Sequence, residues 1–170
     1  MKNVDYLIIV ASINENMKLA LTIASQLDAL GKSSEIIDII SLNLPMYSSK
    51  HETEDGIPKP INAVVKQMNQ AKAYIMVAPE YNYSIPPSLT NLVAWVSRIG
   101  DDFRALFNEK PILIATFSGG GGDDLLNAMR VQFTKLGAIV IPRQILTNYN
   151  HRLNIESLTK TLTQLIRFVS

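Results

Sequence analysis

Five short apolar runs, each bounded by turn-forming residues, constrain this chain more than any other feature. They are Tyr6–Ala11, Glu35–Ile40, Ala73–Ala78, Pro111–Phe117 and Ala138–Ile141. Most are rich in Ile and Val and nearly unbroken, where a strand with one wet face would alternate polar and apolar residues. Strands of a parallel sheet, covered by helices on both faces, call for this pattern. Between the runs, apolar residues return at helical spacing. Leu19, Ile23, Leu27 and Leu30 line one helix, and Ile61, Val64, Val65 and Met68 a second. Leu89, Leu92, Val93 and Val96 mark a third, and Leu126, Met129, Phe133 and Leu136 a fourth. Ile155, Leu158, Leu162, Leu165 and Ile166 mark the fifth. Each set makes one apolar stripe able to pack on a sheet.

Five strands alternating with five helices predict a doubly wound α/β domain with right-handed crossovers. The 170 residues contain no repeat, low-complexity tract or linker, so residues 1–170 read as a single domain. The long irregular stretch, Ser41 to Pro58, holds Pro45, Gly56 and the charges Lys50, His51, Glu52, Glu54 and Asp55, and is expected to be an exposed loop.

Composition narrows the function classes. With 47% hydrophobic and 18% charged residues the chain is expected to be globular, and a net charge of +1 gives no field toward nucleic acid or anionic lipid. The absence of cysteine excludes disulfides, thiolate metal sites and a cysteine nucleophile. The stretch from Met1 runs into Tyr6–Ala11 and then Asn14, Glu15 and Asn16, without a signal-peptide cleavage pattern. No apolar run approaches the roughly 18 residues of a membrane span. The expectation is a soluble, cytoplasmic protein that meets neither membrane nor nucleic acid.

In open parallel sheets, ligands bind beyond the carboxyl ends of the strands, where strand order reverses. Three loops there have unusual sequence. Ser12-Ile13-Asn14-Glu15-Asn16 follows the first strand and opens into a helix, whose free N–H groups can hold a phosphate. An ordinary cap through Asn14 or Asn16 is the plainer alternative. Pro79-Glu80-Tyr81-Asn82-Tyr83-Ser84-Ile85-Pro86-Pro87 follows the third strand. Its prolines stiffen the backbone, and Pro86 or Pro87 can start the next helix. Such a loop suits edge-on recognition of a flat heterocycle, against the alternative of a proline-rich turn with surface tyrosines. Ser118-Gly119-Gly120-Gly121-Gly122-Asp123 follows the fourth strand, where glycines let backbone N–H groups approach a ligand and Asp123 is placed to cap a helix. A flexible turn is the competing reading. In the flavodoxin-like strand order 2-1-3-4-5, all three loops converge on one crevice.

The stretch from Val77 to Trp95, VAPEYNYSIPPSLTNLVAW, closely resembles the central motif of the NADPH-dependent FMN reductase family. Leu44-Pro45-Met46-Tyr47 resembles that family's leucine-proline segment, and the run at 118–122 its glycine loop. The resemblance implies a flavodoxin-like three-layer sandwich with a five-stranded parallel sheet. It also implies FMN as cofactor, and NADPH or NADH as co-substrate reducing a flavin, quinone, azo compound or similar small-molecule acceptor. Carried over by position, Pro79, Glu80, Tyr81, Asn82 and Ser84 lie along the flavin ring, and Ser118 with Gly119, Gly120, Gly121 and Gly122 along its other edge. Ser12, Asn14 and Asn16 match the phosphate loop, which here is shorter and lacks the family's arginine and second serine. Helix N–H groups are therefore expected to hold the phosphate nearly alone. A homodimer or homotetramer is also implied, with Lys50–Asp55 and the third helix as contact surface.

No side chain is assigned a catalytic role, since the flavin supplies the chemistry. His51 and His151 stand alone and no metal site is expected. Asp101-Asp102 and Asp123-Asp124 fit turns or helix starts, and Trp95 and Phe103 read as core or as a subunit contact. Two rival functions stay open: a flavodoxin-like electron carrier, or a flavin-free module that has lost the phosphate loop.

Overall fold

The computed structural model describes residues 4–169. Met1 to Asn3, where the stretch searched for a leader begins, and Ser170 lie outside them. In chain order the elements are β1 (Tyr6–Val10), α1 (Glu15–Ala29), β2 (Ser34–Asp38), α2 (Ser49–Asp55), α3 (Lys59–Gln70) and β3 (Ala73–Val77). There follow α4 (Pro87–Val96), β4 (Pro111–Phe117), α5 (Asp123–Lys135), β5 (Ile139–Val140), β6 (Ile145–Thr147) and α6 (Ile155–Arg167).

Every strand pairing is parallel, and the sheet runs β2-β1-β3-β4-β5, the order expected. Burial on both faces explains the unbroken apolar runs. Along β1, Leu7 and Ile9 join Tyr74 and Met76 of β3 and Ile112 and Ile114 of β4 in a core covered by α3, α4 and α5. The alternate residues Tyr6, Ile8, Val10, Ile75, Val77, Leu113 and Ala115 form a second core under α1 and α6. These are three layers, helices–sheet–helices, and each strand residue is committed to one side or the other.

The fifth strand position differs from the sequence expectation. Instead of one strand over 138–141, β5 pairs with Pro111–Ile112 and β6 with Ala115–Phe117, so two short pieces share the flank of β4. Pro142 lies between them and has no N–H to continue a ladder. The guanidinium of Arg130, from α5, bridges the break: Nη1 donates to the Ile141 carbonyl at 3.0 Å and Nη2 to Gln144 Oε1 at 3.0 Å.

Residues 41–58, expected to be an exposed loop, also hold α2 and are docked on α4. The Pro45 carbonyl accepts from Trp95 Nε1 at 2.8 Å and Asn91 Nδ2 at 3.0 Å, while Asn91 Oδ1 accepts from Tyr47 N at 2.8 Å. Tyr47 meets the buried Trp95 ring edge-on, 5.1 Å between centroids. Glu52 accepts from Arg98 Nε at 2.9 Å and from the Tyr47 hydroxyl at 3.1 Å. Arg98 holds that carboxyl below the usual glutamate range. Trp95 is thus core, as one reading had it, whereas Phe103 is exposed.

Trp95→Phe removes one hydrogen bond to Pro45 and part of the buried ring area. It is expected to cost about 1–2 kcal/mol in urea unfolding. Limited proteolysis should cut residues 41–58 faster in the variant than in the parent.

Candidate functional site

Register brings the three unusual loops together. Val10 of β1 sits opposite Val77 of β3, and Val77 opposite Ala115 of β4, so β1 and β3 finish level and β4 runs two residues further, to Phe117. The ladder continues one step as the chain leaves the sheet: Ala11 N donates to Val77 O at 2.9 Å, and Ala78 N to Ala115 O at 3.1 Å. Thr116 Oγ1 donates to the Ala78 carbonyl at 2.7 Å and Thr147 Oγ1 to the Thr116 carbonyl at 2.9 Å. Thr116 extends the β3–β4 pairing past its last backbone bond, and Thr147 adds a side-chain bond to the β4–β6 pairing. Sequence reasoning passed over them, although a threonine closing an apolar strand was the available signal.

The loop after β3 folds back on itself. Tyr81 N donates to Ser84 O and Ser84 N to Tyr81 O, at 3.1 and 3.0 Å. The two residues at the tip, Asn82 and Tyr83, have φ of 49° and 62°. Asparagine tolerates the left-handed region, but tyrosine enters it at a cost of order 1 kcal/mol or more. Pro79 is buried beneath this hairpin, whereas Tyr81, Asn82, Tyr83 and Ser84 are exposed. Pro86 and Pro87 then open α4 as N-cap and first residue, as the sequence suggested.

The Glu80 side chain turns toward the next loop. Its Oε2 accepts from Ser118 Oγ at 2.8 Å and from Gly122 N at 3.0 Å, and its Oε1 from Leu125 N at 3.3 Å. Ser118 Oγ in turn accepts from Gly120 N at 3.0 Å. Glu80 therefore supplies the carboxylate cap of α5, the role expected of Asp123, which is already the first helical residue. The cap residue proper is Gly122, with φ 91°, and a Cβ there would lie 3.1 Å from Thr116 Cγ2 and 3.2 Å from Ser118 Cβ. Gly119 and Gly121 instead face open space, with no heavy atom within 4 Å of a built Cβ.

At the first loop, Asn14 is the exposed N-cap of α1, but its side chain caps nothing. Its backbone N–H contacts the half-buried Ser12 Oγ at 3.4 Å. Asn16 is buried, with its amide spent on the end of β4: Nδ2 donates to Phe117 O and Oδ1 accepts from Phe117 N, both at 2.8 Å. It ties α1 to the glycine loop. Lys18 lies outside this cluster, exposed and hydrogen-bonded to Glu15, which holds its ammonium above the usual lysine range.

Residues 12–16, 79–84 and 118–122 thus form one edge, joined through Asn16 and Glu80. It offers backbone N–H groups and exposed aromatic rings, and no cluster of metal-ligating side chains exists among the described residues. A family model for NADPH-dependent FMN reductase matches residues 4–152. The chain belongs to that family. A quinone reductase of Escherichia coli K12 is 40% identical over 78 residues, covering 46% of this chain and 40% of the relative. A probable NADPH:quinone oxidoreductase 2 of rice is 31% identical over 88 residues, 51% of this chain and 41% of the relative. The chain thus matches about two-fifths of the length of these curated relatives. Among solved structures, FerB, a flavoenzyme NAD(P)H:(acceptor) oxidoreductase of Paracoccus denitrificans, superposes with TM-score 0.71 at 20% identity over 97% of this chain and 92% of that one. An archaeal flavodoxin does so with TM-score 0.65 at 11% identity over 97% and 96%. At such identities these two establish the fold, which is flavodoxin-like.

FMN is the cofactor of an FMN reductase family, with NAD(P)H as reductant. The donor set here fits it. The glycine loop leaves open space beside the backbone at Gly119 and Gly121, and the first turn of α1 has N–H groups of the kind that hold a phosphate.

Glu80→Ala is expected to lower stability by about 2 kcal/mol, through loss of the α5 cap and of a charged acceptor shared by three donors. Asn16→Ala should cost a similar ~2 kcal/mol, because Phe117 N–H and C=O lose their partner. Urea unfolding of the two variants checks both values.

Proposed function

We propose that this chain is an NAD(P)H-dependent FMN reductase that delivers electrons to a small-molecule acceptor such as a flavin, a quinone or an azo compound. The observation that carries the reading is the shared edge of three backbone-rich loops, joined through Asn16 and Glu80, in a chain matched by the reductase family over residues 4–152. FMN, when bound, supplies the hydride-accepting and electron-donating chemistry.

The protein's own part is placement. Residues 79–84 and 118–122 would line the two edges of the ring. Gly119 and Gly121 admit a ligand close to the backbone, and their N–H groups would face negative charge accumulating on the reduced ring, those of Gly120 and Gly122 being bonded to Ser118 and Glu80. Ser12 and the N–H groups that open α1 would hold the phosphate, with Asn14 at the rim and Asn16 behind, positioning rather than touching. No side chain is needed as nucleophile or proton donor. Quinones are the favoured acceptors, because the quinone reductase of Escherichia coli and the rice relative carry that activity in their names. A cytoplasmic homodimer or homotetramer completes the reading. Exposed Met46 and Tyr83, which flank α4, support a partner surface there.

Anaerobic mixing of the FMN-loaded protein with NADPH, then NADH, tests the proposal. Bleaching of the visible flavin absorbance, reversed by a benzoquinone, is the expected result. A flavin that binds but stays oxidised with both nucleotides would leave an electron carrier in place of a reductase.

A further inference from the structure

A cavity lies on the other side of β4 from Glu80. It has a volume of about 490 Å³ and opens between the first turns of α1 and the segment that follows β6. Alternation along β4 explains the placement. Thr116 bonds toward the β3 loop, whereas Phe117 turns to the α1–α6 side and lines the cavity. The volume falls within the range of small-molecule sites, about 300–1,000 Å³.

Its lining has a definite chemistry. Leu19, Phe117 and Leu153 make an apolar floor. The Tyr149 ring meets Phe117 edge-on at 5.1 Å between centroids, yet is 70% exposed, leaving a ring face open. The segment presenting it is held by its own bonds. Asn148 Oδ1 accepts from Asn150 N at 2.9 Å and His151 N at 2.7 Å, and Asn148 N donates to His151 O at 2.9 Å. Two cations stand at the rim. Lys18 is shared with Glu15, but no carboxylate pairs with Arg152 among the described residues. An open aromatic face beside an unshared guanidinium suits a heteroaromatic base joined to a phosphate, since arginine binds phosphate oxygens in bidentate fashion.

The cavity also shares the functional edge of the sheet. Phe117 immediately precedes Ser118 of the glycine loop, and Glu15 and Lys18 lie in the first turn of α1, which follows residues 12–14. A long ligand with one end at the ring loops can therefore set its other end here. We infer that this cavity receives the adenosine 2′-phosphate end of NADPH, with Arg152 on the 2′-phosphate and Tyr149 against the adenine. NADH lacks that phosphate, so Arg152 becomes the residue that distinguishes the two reductants. This inference rests on the reductase reading for its purpose, though not for its binding chemistry.

The test uses the FMN-loaded protein and 2′,5′-ADP as probe, titrated calorimetrically alongside 5′-AMP, in the parent and in Arg152→Ala. The parent should bind 2′,5′-ADP more tightly than 5′-AMP. The variant should weaken 2′,5′-ADP about tenfold, the loss of one charge-assisted contact. It should lower kcat/KM for NADPH by a similar factor through KM, with kcat, the NADH values and FMN content unchanged. Parent protein that fails to prefer 2′,5′-ADP overturns the inference. So does a variant that binds it as well as the parent, loses NADH and NADPH activity equally, or sheds FMN. The titration needs no turnover, so it decides the cavity even if neither nucleotide reduces the flavin and the reductase reading falls.

Discussion

Two-sided burial of a parallel sheet is the constraint on which the rest of this structure depends. Once Leu7, Ile9, Tyr74, Met76, Ile112 and Ile114 are taken by one helical layer and their neighbours by the other, a slip of one residue would exchange the two sets. Register is therefore held without help from loops. Because Val10, Val77 and Ala115 are held opposite one another, the three loops leave the sheet at the same edge. The shared edge of the three loops is a consequence of core packing.

On that edge, long-range side-chain bonds replace the regular backbone ladder. Glu80 reaches from one loop to the serine, the glycine N–H and the helix start of another, and Asn16 closes the exposed end of β4. These acceptors meet donors that helix and strand ends leave unpaired, so the polar groups of the edge are satisfied by one another. The strained tip at Asn82 and Tyr83 sits just beyond the Glu80 anchor. A rigid base of this kind lets an exposed loop keep an unfavourable conformation. Gly122 makes the same point from the other side, because a side chain there would be strained by its φ and crowded by Thr116 and Ser118.

Much of this was legible in the sequence for definite reasons. Burial on both faces writes an unbroken apolar run, and a helix packed on a sheet writes its stripe, so the order of elements could be read directly. Pro86-Pro87 announced the start of α4 through the geometry of proline. The misses are as physical. Pro142 splits the fifth strand position, and only the neighbouring β4 shows that both fragments still pair. The charged stretch around Lys50–Asp55 looked like a loop because α2 buries none of its residues, and its docking depends on Trp95 and Asn91 from another element.

The sequence by itself determined the layer architecture, the location of the three loops and, through the PEYN block and its surroundings, the family. Periodicity and local motifs are properties of neighbouring residues, and these conclusions needed nothing more. The tertiary structure decided what the polar side chains of those loops do. Asn16 and Phe117 lie 101 residues apart and Glu80 and Gly122 lie 42 apart, so no local pattern could pair them. Only the folded sheet brings such groups within hydrogen-bonding distance. The same holds for the cavity beside Arg152, whose walls come from chain segments that meet only after α1, β4 and β6 have packed.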